Sequence, residues 1–392
     1  MTDPGRRRLR LMVGGLCVPL AAVVAMNWLV NPYGAWGTAL VDPIYQRQLP
    51  GSEREQVPYR VRTERPATVL LGSSRVLIGM PIEQGCRDHV MNAALSGATL
   101  DEIGAIIRLA IANPQLRRVV WGVDFTTFNE HWSGFLHAPT HLRLRRDRRL
   151  LLQESLLSME ATHASYQILL AALRGSRGLP PSWRLPVPWP ESVIRRRLDE
   201  LRTGPLDASA AVQRDRIAEQ WADIYSTYQL SAAQLDLFRE LVGTIRRAGV
   251  ELILFIPPFN ESELELIWQT GRWETFQRWK RELAAVASYW DFSGYHELAR
   301  TDAYFDPVGF CHFEPPVGEA LLRHVLGQSC DACGDAARRI ASAGVWVDAS
   351  SVEAHLQMQE VERLAREKQG SPQARYVASI VRRSQHADHA SR

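Results

Sequence analysis

A short apolar segment that ends at a glycine and two serines is the feature that most constrains the fold of this chain. Thr68–Leu71 is β-branched or aliphatic throughout and is too short to form a helix of its own. The segment predicts a buried parallel strand, and Gly72 permits a tight turn from that strand into a helix. A serine at that turn has two interpretations. It caps the helix, or it is a nucleophile whose oxyanion product is stabilised by the N–H groups of the helix N-terminus.

Strand and helix signals alternate along the rest of the chain. Its 392 residues, with 46% hydrophobic content, suffice for one large domain, alone or with a small appendage. The alternation predicts an α/β fold in which helices cover both faces of a parallel sheet, and such sheets bind ligands at the carboxyl ends of their strands. Further strand signals lie at His89–Asn92, Arg118–Val123, Val250–Ile256 and Ser288–Phe292, and helical signals lie at Asp101–Ala112, Ala208–Arg247 and Pro316–Leu326.

The N-terminus has the pattern of a membrane anchor. Arginines within residues 1–10 precede an uncharged apolar run, 11–30, and roughly twenty such residues span a bilayer core. Basic residues before the run favour a cytoplasmic N-terminus. A cleavable signal peptide is the alternative, although Val23–Ala25 makes a poor cleavage site. We therefore expect a single-pass helix in the inner (plasma) membrane and a periplasmic, extracytoplasmic main domain.

Composition divides the chain that follows into three parts. We expect a polar linker over 31–65, the α/β domain over 66–328 and a C-terminal tail over 329–392. The domain carries a long insertion at about 129–203, and its amphipathic and proline-rich segments suit a lid or a partner surface. The tail is predicted to contain one helix, Ser351–Lys368, followed by a polar, disordered end.

Cysteine spacing leaves the disulfide pattern open. Cys330 and Cys333 form a CxxC motif with no second pair, which argues against zinc and thioredoxin chemistry. In an oxidising compartment these two residues form a local disulfide, or Cys86 pairs with Cys311.

Charge and histidine spacing argue against two classes of ligand. The net charge of +3 is too small to indicate nucleic-acid binding. His131, His137 and His141 are spaced irregularly and have no accompanying carboxylate pattern, so we predict no metal site. We expect no cofactor.

A second candidate for serine chemistry lies late in the chain, where Asp306 and His312 share one segment. A serine hydroxyl becomes a good nucleophile when a histidine removes its proton and a carboxylate steadies the imidazolium. The alternative is a loop histidine and a turn aspartate before Pro307.

Four sequence blocks together resemble the SGNH (GDSL-like) hydrolase superfamily. They are most similar to its membrane-anchored, extracytoplasmic branch, which is related to proteins of alginate acetylation and of D-alanyl transfer to teichoic acid. The resemblance covers about Thr68–Gly327 and implies a three-layer, flavodoxin-like parallel sheet. The blocks, in chain order, are Gly72–Arg75, Asn92–Gly97, Trp121–Phe125 and Asp306–His312.

The resemblance implies a role for each matching residue. Ser74 is the nucleophile, His312 is the general base and Asp306 orients the base. The backbone N–H groups of Ser74 and Gly97 are the implied oxyanion donors. The side chains that could shape the site or bind substrate are Arg75, Asn92 and Asp124.

Two positions depart from the pattern of this superfamily. The aspartate usually lies three residues before the histidine, where this chain has Gly309, so Asp302 and Asp291 are fallbacks for Asp306. Asp124 stands where an asparagine usually donates to the oxyanion, and an ionised carboxylate cannot donate. Asp124 is therefore protonated, turned away or engaged in holding a loop.

These observations lead to one expected function and one alternative. The expected function is that of an extracytoplasmic serine esterase or O-acyltransferase that moves an acyl group, with acetyl expected, on a cell-envelope polysaccharide. The resemblance implies a multi-span membrane O-acyltransferase as partner. Trp132, Trp183 and Trp189 suit either sugar stacking or ordinary packing. The alternative is a non-catalytic envelope assembly or glycan-binding protein with a degenerate site.

Overall fold

The computed structural model divides the chain into two compact units. One unit combines Met1–Arg65 with Ala138–Leu185, and the other combines Pro66–His137 with Pro186–Arg392. The described residues are 4–33, 36, 53–80, 90–134, 153, 155–173, 208–306 and 311–390. The proline-rich part of the predicted insertion lies outside them.

The second unit is built on a six-stranded, mostly parallel sheet of order β2-β1-β3-β4-β5-β6. The first five strands are parallel to one another, and β6 runs antiparallel to β5. The order 2-1-3-4-5 reverses between β1 and β3, which is the switch point where doubly wound sheets bind ligands. The strands are β1 (Thr68–Leu71), β2 (Val90–Asn92), β3 (Arg118–Gly122), β4 (Glu251–Ile256), β5 (Tyr289–Asp291) and β6 (Val345–Val347).

Helices make up most of the remaining described structure. Thr99 and Glu102 form a capping box at the start of one of them. In chain order the helices are α1 (Pro4–Val30), α2 (Glu53–Glu64), α3 (Ser74–Gly79), α4 (Leu100–Ile111), α5 (Met159–Leu173), α6 (Ala208–Ser226), α7 (Ala232–Arg247), α8 (Glu261–Gln269), α9 (Trp273–Val286), α10 (Pro315–Val325), α11 (Asp335–Ala343), α12 (Val352–Gln369) and α13 (Pro372–Ala390).

Burial explains why the predicted strands are confirmed. All four residues of β1 are buried, and β3 is buried from its second residue onward, as expected for strands covered on both faces. The core beside them includes Leu70, Val120 and Phe255. Strand β6 was not predicted. It is three residues long and exposes Val345 and Trp346, so it lacks the buried apolar pattern that reveals a central strand.

The first unit consists of helices. Asn27 on α1 donates to the Leu156 carbonyl (2.9 Å) and to Thr162 Oγ1 (3.2 Å), which joins α1 to the start of α5. Helix α2 lies inside the predicted linker, and Tyr59 on its buried side shares a hydrogen bond with Ser155. Within the residues that the structure describes, no helix is both long and apolar enough to cross a membrane.

The C-terminal end corrects a prediction of disorder. The predicted helix at 351–368 is confirmed as α12, but helix α13 then follows instead of a disordered segment. Val377 and Ile380 on α13 are fully buried. Tyr376 donates to Asp215 on α6 at 2.9 Å. This end is rich in arginine and histidine, so its narrow apolar stripe is hard to recognise in the sequence. Helix α13 packs against α6 and α8.

Of the two predicted disulfide pairings, the structure shows the local one. Cys330 and Cys333 form a disulfide between α10 and α11. Cys311 is a free, buried thiol, and Cys86 lies outside the described residues.

Candidate active site

Ser74 and His312 are in direct contact at the carboxyl edge of the sheet. Ser74 is the first residue of α3, directly after the turn that follows β1. Its Oγ lies 2.9 Å from His312 Nε2, which is hydrogen-bonding distance. Both side chains are only partly buried. A histidine placed in this way can take the proton of the serine hydroxyl.

The two adjacent serines of the turn have different partners. Ser73 is the N-cap of α3, and its Oγ accepts from the N–H of Arg75 and donates to Asp124 Oδ2. Ser74 instead contacts His312. The helix-capping interpretation therefore applies to Ser73, whereas Ser74 is the serine that lies beside a histidine.

Gly72 makes this turn possible. Its φ of 153° lies in a region that side-chain-bearing residues rarely adopt. An added Cβ would lie 2.5 Å from Val76 Cγ2 and 3.0 Å from the Gly122 carbonyl oxygen. A larger residue would push the turn away from β3 and displace Ser74.

Asp306 lies opposite His312 across two antiparallel segments. Phe305 forms an antiparallel bridge with Phe313, and the Asp306 N–H donates to the His312 carbonyl at 2.8 Å. Antiparallel pairing brings the two residues side by side although they are six positions apart in the sequence. The usual three-residue spacing is therefore not needed for proximity. Gly309 lies outside the described residues.

The surroundings of His312 favour its neutral form. Burial lowers the pKa of His312 to about 4, the charge of Asp306 opposes that change, and the charge of Arg75 adds to it. The imidazole is therefore unprotonated at neutral pH, which is the form that a general base requires.

The two fallback aspartates are engaged elsewhere. Asp302 is exposed and accepts from Asn260 Nδ2 at 3.2 Å. Asp291 lies at the end of β5, where its Oδ2 is 2.8 Å from both Lys280 Nζ and His355 Nε2. Of the three candidate carboxylates, Asp306 is the one paired with the His312 backbone.

Asp124 is committed to neighbouring side chains. Its Oδ1 lies 2.8 Å from Arg75 Nε and its Oδ2 accepts from Ser73 Oγ. Burial raises the pKa of Asp124, while the charge of Arg75 and the hydrogen bond from Ser73 oppose the change. Of the alternatives left open by the sequence, the structure therefore favours engagement in holding local structure. Asp124 supplies no amide donor for an oxyanion.

The two implied oxyanion donors belong to turns that are bonded to each other. The Leu95 N–H donates to the Gly72 carbonyl at 3.1 Å, and this bond joins the segment after β2 to the turn after β1. Gly97, two residues further on, has a φ of 57°. Among the described residues, neither the Ser74 N–H nor the Gly97 N–H has a protein acceptor. Both groups are thus free to donate to a ligand.

Asn92 shapes the site without entering it. Its Nδ2 donates to the carbonyls of Val76 and Met80, both at 2.9 Å, and its Oδ1 accepts from the Ala94 N–H. These bonds tie the end of β2 to α3 and to Met80, the residue that follows the helix. They hold the helix that carries Ser74 at its N-terminus.

Glu263 is a site residue that sequence reasoning missed. It lies fully buried on α8, where it accepts from Arg75 Nη2 and, at 2.6 Å, from Tyr225 Oη. Glutamates occupy every second position at the start of α8, a pattern that ordinarily indicates a solvated helix end. Only the packing of α6 and α13 around α8 reveals that these carboxylates are buried.

The remaining candidate ligands do not assemble. Among the described residues no cluster of histidine, cysteine and carboxylate side chains could hold a metal ion. His131 is exposed, whereas His137 and His141 lie outside the described residues. Trp132 donates to the Ala98 carbonyl at 3.0 Å and packs beside the Gly97 turn. Trp183 and Trp189 lie outside the described residues.

Sequence comparison adds no family assignment to this geometry. No protein-family model matches the chain, and no curated protein is significantly similar to it.

Proposed function

We propose that this protein is an SGNH-type serine esterase or O-acyltransferase in which Ser74, His312 and Asp306 form the catalytic triad. One observation carries the proposal. Ser74 Oγ lies 2.9 Å from His312 Nε2, at the edge of the sheet where its strand order reverses. The neutral state of His312 and the backbone pairing of Asp306 support the same conclusion.

The arrangement supports a two-step acyl transfer. His312 removes the hydroxyl proton as Ser74 Oγ attacks the carbonyl carbon of an ester, and the backbone N–H groups of Ser74 and Gly97 stabilise the oxyanion. The C–O bond to the leaving alcohol then breaks, and that alcohol takes the proton from His312. Water or a sugar hydroxyl attacks the resulting acyl-serine by the reverse sequence of proton transfers, which gives ping-pong kinetics.

The proposal also includes a substrate class, a partner and a cellular location. We propose an acetyl group as the acyl group, a cell-envelope polysaccharide as its donor or acceptor, and a multi-span membrane O-acyltransferase as partner. The apolar run at 11–30 would anchor the chain in the inner membrane with its main domain in the periplasm. The disulfide between Cys330 and Cys333 supports an oxidising compartment.

One observation favours a second candidate function. Asp124 occupies the place of the amide donor and is held by Arg75 and Ser73, so the site has no side-chain donor there. A non-catalytic envelope assembly or glycan-binding protein would retain this fold and tolerate that loss.

Labelling with a fluorophosphonate probe tests the proposal. The full chain should react at Ser74, and Ser74→Ala and His312→Ala should abolish the reaction. Ser73→Ala is the matched control: it removes the neighbouring hydroxyl and the helix cap, and it should still be labelled. A folded wild-type chain that does not react, or a reaction that survives Ser74→Ala, would favour the non-catalytic alternative.

A further inference from the structure

We propose that Arg75 is a positioning residue that holds the His312 segment, Cys311–Phe313, against Ser74. Arg75 acts from the interior of the protein and does not bind substrate. This inference rests on the proposed function, because positioning a base has a measurable effect only if the base acts on Ser74.

Arg75 joins the two halves of the reactive pair through their sequence neighbours. Its Nη1 donates to the carbonyl of Cys311 at 2.7 Å. Arg75 directly follows Ser74, and Cys311 directly precedes His312. A single side chain therefore fixes the backbone beside the base relative to the backbone beside the nucleophile.

The guanidinium is itself held rigidly. Nε lies 2.8 Å from Asp124 Oδ1, Nη2 donates to Glu263, and the Cζ atom lies 4.5 Å from the centre of the Phe259 ring. With the Cys311 carbonyl on Nη1, each of the three nitrogens has an internal partner. The side chain is 4% exposed, so it presents no free donor to a ligand.

The charge of Arg75 also acts on His312. Two buried carboxylates, Asp124 and Glu263, surround the guanidinium and raise its pKa despite its burial, so it stays charged. That charge helps to lower the pKa of His312. Removing it should raise the pKa of His312 and move the acid limb of the activity profile to higher pH.

Arg75→Lys in the full chain tests the positioning role. Lysine keeps the charge, but one nitrogen cannot reach three elements at once. Because misplacing a reacting group by about 1 Å costs on the order of 100-fold in rate, we expect Ser74 labelling to slow by about that factor. With p-nitrophenyl acetate as substrate, kcat should fall and KM should change little.

Arg363→Lys is the matched control. Arg363 is also 4% exposed and paired with two carboxylates, Glu360 and Glu367, but it lies on α12 against the ring of Trp268. This variant should lower the thermal midpoint and leave the rate of Ser74 labelling and its pH dependence unchanged.

A charge-balanced variant covers the case in which Arg75→Lys does not fold. Arg75→Met combined with Asp124→Asn and Glu263→Gln leaves no unpaired buried charge. It should label slowly, with its acid limb at higher pH than in the wild type. A wild-type rate in folded Arg75→Lys, or a wild-type rate and pH dependence in the folded charge-balanced variant, would overturn the positioning role and leave the proposed function standing. A wild-type chain that is never labelled would refute the proposed function itself.

Discussion

Two clusters at the carboxyl edge of the sheet each contain a serine, a histidine and an aspartate, but in different orders. In the cluster of the proposed active site, the His312 side chain contacts Ser74 and the His312 backbone pairs with Asp306. In the second, the β5 cluster of Lys280, Asp291, Ser293 and His355, the aspartate takes the central place. Asp291 accepts from Ser293 Oγ at 2.6 Å and lies 2.8 Å from His355 Nε2.

The order of the residues decides what each cluster can do. A serine bonded to a carboxylate cannot lose its proton to the histidine, so Ser293 is not activated. The β5 cluster is also closed, since Lys280 and Asp291 are fully buried and Ser293 is 2% exposed. It ties α9 and α12 to β5 and serves stability. A histidine, a serine and an aspartate that lie together are therefore insufficient evidence of catalysis, because the histidine must be central and reachable.

Removing the serine of each cluster in turn should distinguish the two clusters by the largest effect. Ser74→Ala should lower kcat by about 10⁴-fold or more, as in other serine enzymes that lose the nucleophile. Ser293→Ala should leave kcat unchanged and lower the free energy of unfolding by about 1–3 kcal/mol, because Asp291 loses a buried donor. Ester hydrolysis and thermal denaturation measure the two effects. Equal loss of activity in both variants would contradict the distinction.

The carboxylate of the active-site cluster gives the next largest effect. Asp306→Asn should lower kcat by about 10²–10⁴-fold, because the imidazolium loses its stabilising charge. Since the charge of Asp306 raises the pKa of His312, the same variant should also move the acid limb of the pH profile to lower pH. Asp302→Asn, an exposed carboxylate nearby in the sequence, is the control and should do neither. Activity that tracks Asp302 would show that the fallback aspartate completes the triad.

Removing the cation of the β5 cluster separates stability from activity. Lys280→Met leaves Asp291 buried without the ammonium group of Lys280 and should lower the free energy of unfolding by about 3–5 kcal/mol. The rate of Ser74 labelling per folded molecule should stay at the wild-type value. Urea denaturation measures the stability. Labelling without denaturant, at a temperature where both proteins are folded, measures the activity. A loss of labelling in the folded protein would mean that the two clusters are coupled.

Mild acid should produce the smallest effect, and it should act through His312 together with His296 and His324, because burial lowers the pKa of all three. The pKa of His312 is about 4 in the folded protein against 6.5 in an unperturbed histidine, so the unfolded chain binds a proton first as the pH falls. The free energy of unfolding should therefore decrease between these two values while the labelling rate stays near its plateau. Asp291, whose pKa is lowered because Lys280 and His355 outweigh its burial, stays charged in this window. A labelling rate that already declines near pH 6.5 would contradict this assignment.

The sequence predicted the parts of the fold that depend on local apolar runs. Strands β1 and β3, the glycine turn and the adjacent serines follow from short buried segments and from the steric freedom of Gly72. Strand β6 and helix α13 could not be predicted in this way, because both are identified by tertiary packing and not by a continuous apolar pattern.

The site was predictable only to the level of residue type. Choosing Ser74 over Ser73 needed a family resemblance, and the structure now gives a physical reason, because Ser73 is bonded to Asp124. The proximity of Asp306 to His312 depends on a long-range bridge that spacing does not reveal. The burial of Glu263 likewise depends on helices distant in sequence.

The acyl-enzyme is the most direct test of the central claim. The full chain would be mixed with p-nitrophenyl acetate, quenched with acid and digested, and the peptide that spans β1 and α3 would be analysed by mass spectrometry. The account predicts one acetyl group on Ser74, absent in Ser74→Ala and in His312→Ala. An unmodified Ser74 in a folded chain, or an acetyl group on Ser73 or Ser293 instead, would contradict it.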